Sequence, residues 1–195
     1  MQKRIWIVGV ILLGISRLAL AAPINIVAAE NFYGELAQEI GGKEVKVQSI
    51  ISNPDADPHL FTTSPSTSKA LAQAQIIIYN GADYDSWIGQ MLATVDKSKV
   101  TIINVADLVG VKSGANPHLW YKPETFPKLA QVLADKLIQL EPQNKAQIQA
   151  NLKQFITEHN QVNQAIQQTK TKYAGTPVTA TEPVYGYMAD AMGLK

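Results

Sequence analysis

The amino-acid sequence predicts an α/β protein with a parallel four-stranded (βα)4 N-terminal lobe, a long bridging α-helix and the start of a second α/β lobe. From residue 24 onward, short β-branched runs alternate with stretches of helical periodicity, which is typical of βα units around a parallel sheet. Residues 143–173 then contain neither glycine nor proline and repeat apolar residues at helical spacing. The predicted organisation is a signal peptide, an N-terminal lobe, a linking helix and an incomplete C-terminal lobe, over residues 1–22, 23–142, 143–174 and 175–195.

Residues 1–22 have the pattern of a cleavable secretory signal peptide. Two basic residues precede an apolar run over residues 5–15, and Ala19-Leu20-Ala21 supplies a cleavage pattern. An uncleaved membrane anchor is the alternative interpretation. The run is shorter than the ~20 apolar residues that a membrane span needs, and Arg17 interrupts the segment.

Charge and cysteine content narrow the class of protein further. The chain has 17 Lys and Arg and 16 Asp and Glu, and three of the basic residues lie in the signal peptide, so the remaining chain carries a charge of about −2. No basic patch indicates a nucleic-acid partner. The chain has no cysteine, which excludes disulfides and a lipid-anchor cysteine. We therefore expect a soluble, monomeric protein of a bacterial periplasm.

The N-terminal lobe is predicted to alternate four strands with helices. The predicted strands cover residues 24–29, 44–51, 76–82 and 100–108. The predicted helices of the lobe cover residues 31–40, 64–74, 85–96 and 123–140. Ser64 and Pro65 form an N-cap and first-turn pair for the second helix. The continuous apolar run at 76–78 indicates a strand that is covered on both faces of the sheet.

The glycine-free stretch over residues 143–173 predicts a helix of unusual length. At 1.5 Å per residue, its ~30 residues span roughly 45 Å, which is longer than a small lobe is wide, so we expect this helix to bridge two lobes. A heptad coiled coil is the competing interpretation, but its polar faces lack charge pairing. Residues 176–180 then predict a fifth strand, and residues 185–195 begin another helix.

Three polar side chains are predicted to follow strands at the edge where open parallel sheets bind ligands. They are His59, His118 and Glu182, and each is adjacent to a proline that stiffens its loop. Imidazole nitrogen combined with carboxylate oxygen suits Mn(II), Fe(II) or Zn(II) rather than Cu(I), which favours sulfur. A single loop histidine is more often a surface or capping residue than a metal ligand, and spacing alone leaves the two interpretations open.

Other candidate residues favour structural roles. His159 lies inside the long helix with no second ligand one turn away, so we interpret it as structural. Asp83 and Asp85 resemble an acid–base pair, but Asp85 or Ser86 is expected to cap the following helix. The tyrosines and tryptophans are expected to pack around the loops rather than to line a sugar or peptide cleft. No hydrolase, P-loop or dinucleotide motif is present in the sequence.

Several motifs together resemble the metal-binding receptors of ABC importers, the zinc and manganese solute-binding proteins. The signal peptide and the long helix accompany the motifs "DPHLFTTSPS", "NGADYDSW", "NPHLWYKPETFPKLAQVLADKL" and "TEPVYGYMADAMGL". The similarity extends over residues 24–195. It implies two lobes joined by a rigid helix, with about one divalent Mn, Zn or Fe ion bound between them as cargo and passed to a membrane permease.

The resemblance also implies which residues bind the ion. The histidine of the D-P-H motif is His59, and the histidine of the N-P-H-x-W motif is His118. The third ligand, a histidine or glutamate among relatives, is Glu182. The fourth ligand of the family has no counterpart before Lys195, where the sequence ends. A form that ends there is expected to bind metal more weakly, to deliver it poorly, and to expose Met188, Met192 and Leu194.

The metal preference and two rival functions stay open at this point. Residues 108–117 lack the histidine-rich loop of zinc receptors, and Glu182 is a carboxylate, which favours manganese or iron over zinc. A site of two histidines and one glutamate with an open position also resembles that of a metal-dependent zinc hydrolase, although no general base is evident. An adhesion-related member of the same family is a further alternative.

Overall fold

A computed structural model describes residues 22–53, 56, 58–93 and 95–195, without the side chain of His59. The predicted signal peptide lies outside the described residues except for Ala22. The remaining chain forms a parallel sheet, flanking helices, one long helix and a short C-terminal segment. The predicted α/β fold class is therefore confirmed.

The four strands form one parallel sheet at the centre of the lobe. Their bounds are β1 Ile24–Glu30, β2 Val45–Ile51, β3 Ile76–Tyr79 and β4 Thr101–Asn104. The strand order is β2-β1-β3-β4, and Ile26 of β1 pairs with Val47 of β2 and with Ile76 of β3. Because all strands run in the same direction, their carboxyl ends lie at one edge, where the candidate ligands were predicted.

Seven helices are present in the described residues. Their bounds are α1 Asn31–Gly41, α2 Pro65–Gln73, α3 Ser86–Leu92, α4 Val105–Val109, α5 Thr125–Leu140, α6 Lys145–Tyr173 and α7 Gly186–Ala191. The predicted cap of α2 is confirmed, since the Ser64 hydroxyl accepts a hydrogen bond from the Thr67 N–H at 3.3 Å, and Pro65 occupies the first turn. Single turns of 3-10 helix lie between several of these elements.

The central strands β1 and β3 are buried on both faces of the sheet, as the continuous apolar run at 76–78 predicts for β3. Ile26 and Ile76 belong to a core that includes side chains of α1, α4, α5 and α6, whereas Val27 and Ile77 belong to a second core with α2 and α3. Successive residues of a strand point to opposite faces, so each strand contributes to both cores in alternation.

Strand β4 is shorter than predicted, because Asn104 begins a helix. Its side-chain oxygen accepts hydrogen bonds from the N–H groups of Ala106 at 3.0 Å and Asp107 at 3.4 Å. These contacts satisfy two of the first N–H groups of α4, so residues 105–108 are helical rather than extended. The N-cap at Asn104 therefore favours a helix more strongly than the β-branched residues of this segment favour a strand.

Helix α6 contains 29 residues, which corresponds to a length of roughly 44 Å. Leu152 and Phe155 pack against the core shared with α1 and α5. The Asn151 side chain donates to the Ile40 carbonyl at 3.0 Å, which attaches the helix to the end of α1. Towards its C-terminus, Ile166 is buried, and the helix ends at Tyr173.

The predicted fifth strand is wrong. Residues 176–180 are not part of a sheet, because no strand of the described residues lies beside them. Their backbone instead bonds to the C-terminal residues: the Val178 N–H donates to the Lys195 carbonyl at 2.6 Å, and the Lys195 N–H donates to the Thr176 carbonyl at 3.0 Å.

The expectation that Met192 is exposed is also wrong. Met192 is 7% exposed, while Met188 and Leu194 are half-buried. The C-terminal segment folds back on the chain, since the Gly175 N–H donates to the Gly193 carbonyl at 2.7 Å, and α7 lies against the 3-10 turn Leu119–Tyr121. Within α7, Tyr187 is partly buried and packs against the core of the lobe.

Replacement of Leu133 tests the core between the sheet and α5. Leu133 is fully buried, so Leu133→Ala is expected to reduce the free energy of unfolding by about 3 kcal/mol through lost contacts and a cavity. Leu140 lies in the same helix but is 45% exposed, and Leu140→Ala serves as the matched control. Urea denaturation measures both variants, and equal losses would contradict the assigned core.

Candidate metal centre

The three candidate ligands lie beside single turns of 3-10 helix. His59 lies within the turn Pro58–Leu60 after β2, and the position of its side chain is outside the described residues. His118 directly precedes the turn Leu119–Tyr121, and Glu182 directly precedes the turn Pro183–Tyr185. Each candidate ligand therefore lies in a short turn or directly before one.

The imidazole of His118 is held by a neighbouring carboxamide. Its Nδ1 atom lies 2.6 Å from Asn116 Oδ1, and its backbone N–H donates to the same oxygen at 3.1 Å. The ring also meets Tyr84 and Trp120 edge-on, at centroid distances of 5.9 and 5.3 Å. His118 is half-buried, so its ring is surrounded by aromatic carbon on one side and by amide groups on the other.

Asn116 also brings the segment of Glu182 to the loop of His118. Its Nδ2 atom donates to the Pro183 carbonyl at 2.6 Å, and its carbonyl accepts the Tyr187 hydroxyl at 2.7 Å. Glu182 itself is exposed. The structure thus joins the segments of two candidate ligands that are 64 residues apart in sequence.

The complete ligand set is not assembled in the described residues. Within them, no group of three His, Asp or Glu side chains is arranged to hold a metal ion, and the side chain of His59 lies outside them. The assignment of His59, His118 and Glu182 as ligands therefore stays a prediction.

Asn80 is a buried polar residue beneath these loops that no sequence pattern selects. Its Oδ1 accepts the Tyr33 hydroxyl at 2.6 Å, and its Nδ2 donates to the Pro117 carbonyl at 2.9 Å. Its backbone carbonyl accepts the Ala106 N–H at 2.8 Å. Asn80 therefore joins the end of β3 to α1, to α4 and to the loop that carries His118.

The expected capping role of Asp85 is wrong. Asp85 precedes α3, but its carboxylate accepts the N–H groups of Asn80 at 2.6 Å and Gly81 at 2.9 Å instead of capping the helix. The turn at Gly81 has a φ of +75°, which aims two successive N–H groups at the carboxylate. Asp83 accepts the Ser113 hydroxyl at 3.0 Å, so the two aspartates bind different segments.

Glu30 forms a buried carboxyl pair with Asp85. Glu30 is 2% exposed, and neither of its oxygens has a hydrogen bond of standard geometry in the described residues. Burial raises its pKa well above the usual range, and the nearby charge of Asp85 raises it further. Burial also raises the pKa of Asp85, but the N–H groups of Gly81 and Asn80 oppose the shift. Glu30 is therefore the member of the pair that keeps a proton.

One sequence signal for this pair lies at the end of β1. Glu30 ends the apolar strand "INIVAAE", where a charged residue follows six residues of a buried strand. A carboxyl group in that position is either a ligand at the carboxyl edge or a buried titratable group. Sequence alone does not distinguish the two, because the partner Asp85 comes from a loop 55 residues away.

The aromatic residues and His159 have structural contacts. Trp120 lies 5.0 Å from Tyr84 and 4.8 Å from Phe32 between ring centroids, in agreement with the packing role expected for the aromatic residues. His159 Nε2 lies 3.1 Å from the Pro123 carbonyl, and its ring stacks on Phe155. These contacts agree with the structural role predicted for His159.

Two solved structures have the same fold as this chain. The metal-dependent lipoprotein YcdH from Bacillus subtilis matches with a TM-score of 0.78 at 19% identity, covering 89% of this chain and 66% of that protein. Zn(II)-bound AdcA from Streptococcus pneumoniae matches with a TM-score of 0.76 at 21% identity, covering 89% of this chain and 38% of that protein. The chain therefore shares the fold of these two proteins.

The family follows from a direct match of the sequence. The family model of ZnuA, the periplasmic component A of a zinc-uptake complex, matches residues 26–195. The chain belongs to this family, which confirms the resemblance to zinc and manganese solute-binding proteins. The family is a transport family rather than an enzyme family.

Curated relatives carry several metals. The manganese ABC transporter substrate-binding lipoprotein scaA of Streptococcus gordonii is 26% identical over 149 residues, covering 70% of this chain and 48% of the relative. The iron ABC transporter substrate-binding lipoprotein MtsA of Streptococcus pyogenes serotype M1 is 22% identical, covering 88% of this chain and 60% of the relative. The chain thus spans about half to three fifths of the length of these relatives.

The relatives do not support the expectation of a protein without a lipid anchor, since both are named as lipoproteins. In the part of the chain that the structure describes, no helix combines the length and the apolar character needed to cross a bilayer.

The buried carboxyl pair makes stability depend on pH. Folded Glu30 keeps its proton at pH values where the unfolded chain has lost it, so stability is expected to fall as pH rises from about 4.5 towards the raised pKa. Glu30→Gln should remove up to about 1.4 kcal/mol per pH unit from this slope. Urea denaturation between pH 4 and 9 measures the effect.

Glu35 in α1 provides the control for this measurement. Its side chain is exposed, so Glu35→Gln is expected to keep the slope of the unsubstituted protein. Parallel pH dependences of the unsubstituted protein and Glu30→Gln would show that Glu30 is ionised in the folded state.

Proposed function

We propose that the chain binds one divalent transition-metal ion as cargo and passes it to the membrane permease of an ABC importer. The observation that carries this proposal is the junction at Asn116, which joins the loop of His118 to the segment of Glu182. Two candidate donors of the type that binds Mn, Fe and Zn thus belong to adjacent segments. Membership of the ZnuA family supports transport rather than catalysis.

The proposed site uses nitrogen from His59 and His118 and oxygen from Glu182. His59 follows β2 and His118 follows β4, so both loops leave the carboxyl edge of the sheet. Water or a further protein oxygen completes the coordination of the ion. Both imidazoles must be neutral to bind a metal, so affinity decreases when acidification protonates them.

Manganese or iron fits this site as physiological cargo better than zinc does. The third candidate ligand is a carboxylate, and residues 108–117 contain no histidine. Carboxylate oxygen suits Mn(II), while a histidine-rich site suits zinc. The affinity order of divalent ions still favours Zn(II) at most nitrogen and oxygen sites, so availability of the metal decides which ion is loaded.

The remaining elements of the proposal concern location and partners. The signal-peptide pattern and the family description, a periplasmic component, both support a periplasmic location. A net charge of about −2 after the signal peptide does not favour nucleic acid. Membership of the zinc-uptake family supports a membrane permease as the partner, with the protein as a monomeric carrier of one ion.

Metal titration of ligand variants tests the site. His59→Ala, His118→Ala and Glu182→Ala are each expected to weaken Mn(II) binding by more than about 100-fold, since loss of an outer-shell partner alone costs 10- to 100-fold. Isothermal titration calorimetry measures affinity, and the thermal shift on adding metal provides an independent readout. Repetition with Zn(II) gives the metal preference.

His159→Gln is the matched control, because His159 bonds to the Pro123 carbonyl and glutamine retains a donor. It is expected to leave metal affinity unchanged. If the double variant His59→Ala, His118→Ala binds Mn(II) and Zn(II) as the unsubstituted protein does, the assigned site is wrong. Restoration of metal uptake in cells that lack the gene, by the unsubstituted protein but not by His118→Ala, tests delivery.

A further inference from the structure

We propose that Asn116 is a positioning residue that sets the protonated nitrogen of His118 and holds the Glu182 segment beside it. The functional consequence of this inference rests on the proposed metal site, but the hydrogen bonds of Asn116 involve protein atoms alone. Asn116 uses its side-chain oxygen, side-chain nitrogen and backbone carbonyl in contacts with two segments of the chain.

The orientation of the Asn116 carboxamide is determined by its partners. The His118 backbone N–H can act only as a donor, and it lies 3.1 Å from Oδ1. The Pro183 carbonyl can act only as an acceptor, and it lies 2.6 Å from Nδ2. In a flipped carboxamide, the side-chain NH2 group would face the His118 N–H donor, and the side-chain oxygen would face the Pro183 carbonyl acceptor. Only the present orientation therefore satisfies both partners.

This orientation determines the tautomer of His118. Oδ1 is an acceptor and lies 2.6 Å from His118 Nδ1, so Nδ1 carries the proton of the neutral imidazole. Nε2 then has the lone pair, which is the form of imidazole that binds a metal ion through Nε2. Hydrogen bonding of the second ring nitrogen is the usual way in which proteins orient a histidine ligand.

The second contact of the carboxamide holds the segment that contains Glu182. Pro183 directly follows Glu182, so the bond to its carbonyl places the backbone of the carboxylate next to the His118 loop. Gly186 allows this close approach, because a Cβ atom at that position would lie 3.1 Å from Asn116 Nδ2. One side chain therefore acts on two candidate ligands, and its loss affects both.

Nuclear magnetic resonance of the metal-free protein tests the tautomer directly. The nitrogen shifts of His118 at pH 8 are expected to show Nδ1 protonated in the unsubstituted protein. Asn116→Asp retains an acceptor at Oδ1 and is expected to keep this tautomer, whereas Asn116→Ala should shift His118 towards the Nε2-protonated form. A predominantly Nε2-protonated His118 in the unsubstituted protein would overturn the inference, even if no variant could be folded.

Metal affinity tests the functional consequence. Asn116→Ala is expected to weaken Mn(II) binding by 10- to 100-fold. The matched control is Asn151→Ala, which also removes a carboxamide that donates to a backbone carbonyl, at 3.0 Å from Ile40, but lies away from the candidate ligands. It should leave Mn(II) affinity unchanged. Equal losses in the two variants would indicate a general effect on folding and would overturn the positioning role.

A double-mutant cycle tests the contact with the Glu182 segment. If Asn116 positions Glu182, then Glu182→Gln costs at least about fivefold less affinity in the Asn116→Ala background than in the unsubstituted protein. Additive effects would overturn this half of the inference. The tautomer measurement needs no metal, so unchanged affinity in His118→Ala would refute the proposed metal site while the spectrum still decides the role of Asn116.

Discussion

The position of the loop that carries His118 depends on the buried carboxamide of Asn80. Asn80 is fully buried, and its polar atoms bond to the Tyr33 hydroxyl, the Pro117 carbonyl and the Ala106 N–H. A buried amide without partners is costly, so these segments must stay where they satisfy it. The bond to Pro117 is one residue from His118, and Asn116 extends the same network to the Glu182 segment. Two asparagines therefore connect the sheet to the loop of His118 and to the segment of Glu182.

The carboxyl pair of Glu30 and Asp85 lies beneath the same loops and has the opposite effect on stability. Asp85 is satisfied by the N–H groups of Asn80 and Gly81, whereas burial and the nearby Asp85 raise the pKa of Glu30 and so favour its protonated form. A buried carboxyl group of this kind reduces stability, which is typical of functional regions rather than of structural cores. The hydrogen bonds of Asn80 thus stabilise the polar network below the candidate site, and the buried carboxyl group of Glu30 destabilises it.

Membership of the ZnuA family and the Asn116 junction support the same function by different routes. The family match covers residues 26–195 and assigns a transport role to the class of protein. The junction holds the segments of two candidate ligands together through hydrogen bonds with backbone groups. Preorganisation of this kind lowers the entropy lost when an ion binds, because the loops are already in place. The metals named for the relatives differ, so in the proposed function the ligand chemistry and the availability of metal determine the cargo.

Local patterns in the chain are enough to predict the succession of strands and helices, including the long helix α6, and to select the candidate ligands. Periodicity, helix caps and Pro-His motifs are all signals within short stretches of sequence. They fail where a distant segment controls the outcome. Residues 176–180 do not form a strand because no strand of the described residues lies beside them, and Met192 is buried because the C-terminal segment folds back on the chain. The contacts of Asn80, Asn116 and Asp85 are visible only in the folded chain. Asn80 and Asn116 bond to segments that are distant in sequence, and Asp85 bonds to backbone N–H groups that a turn presents to it. Buried polar networks satisfy groups from separate segments, and no spacing within one segment encodes them.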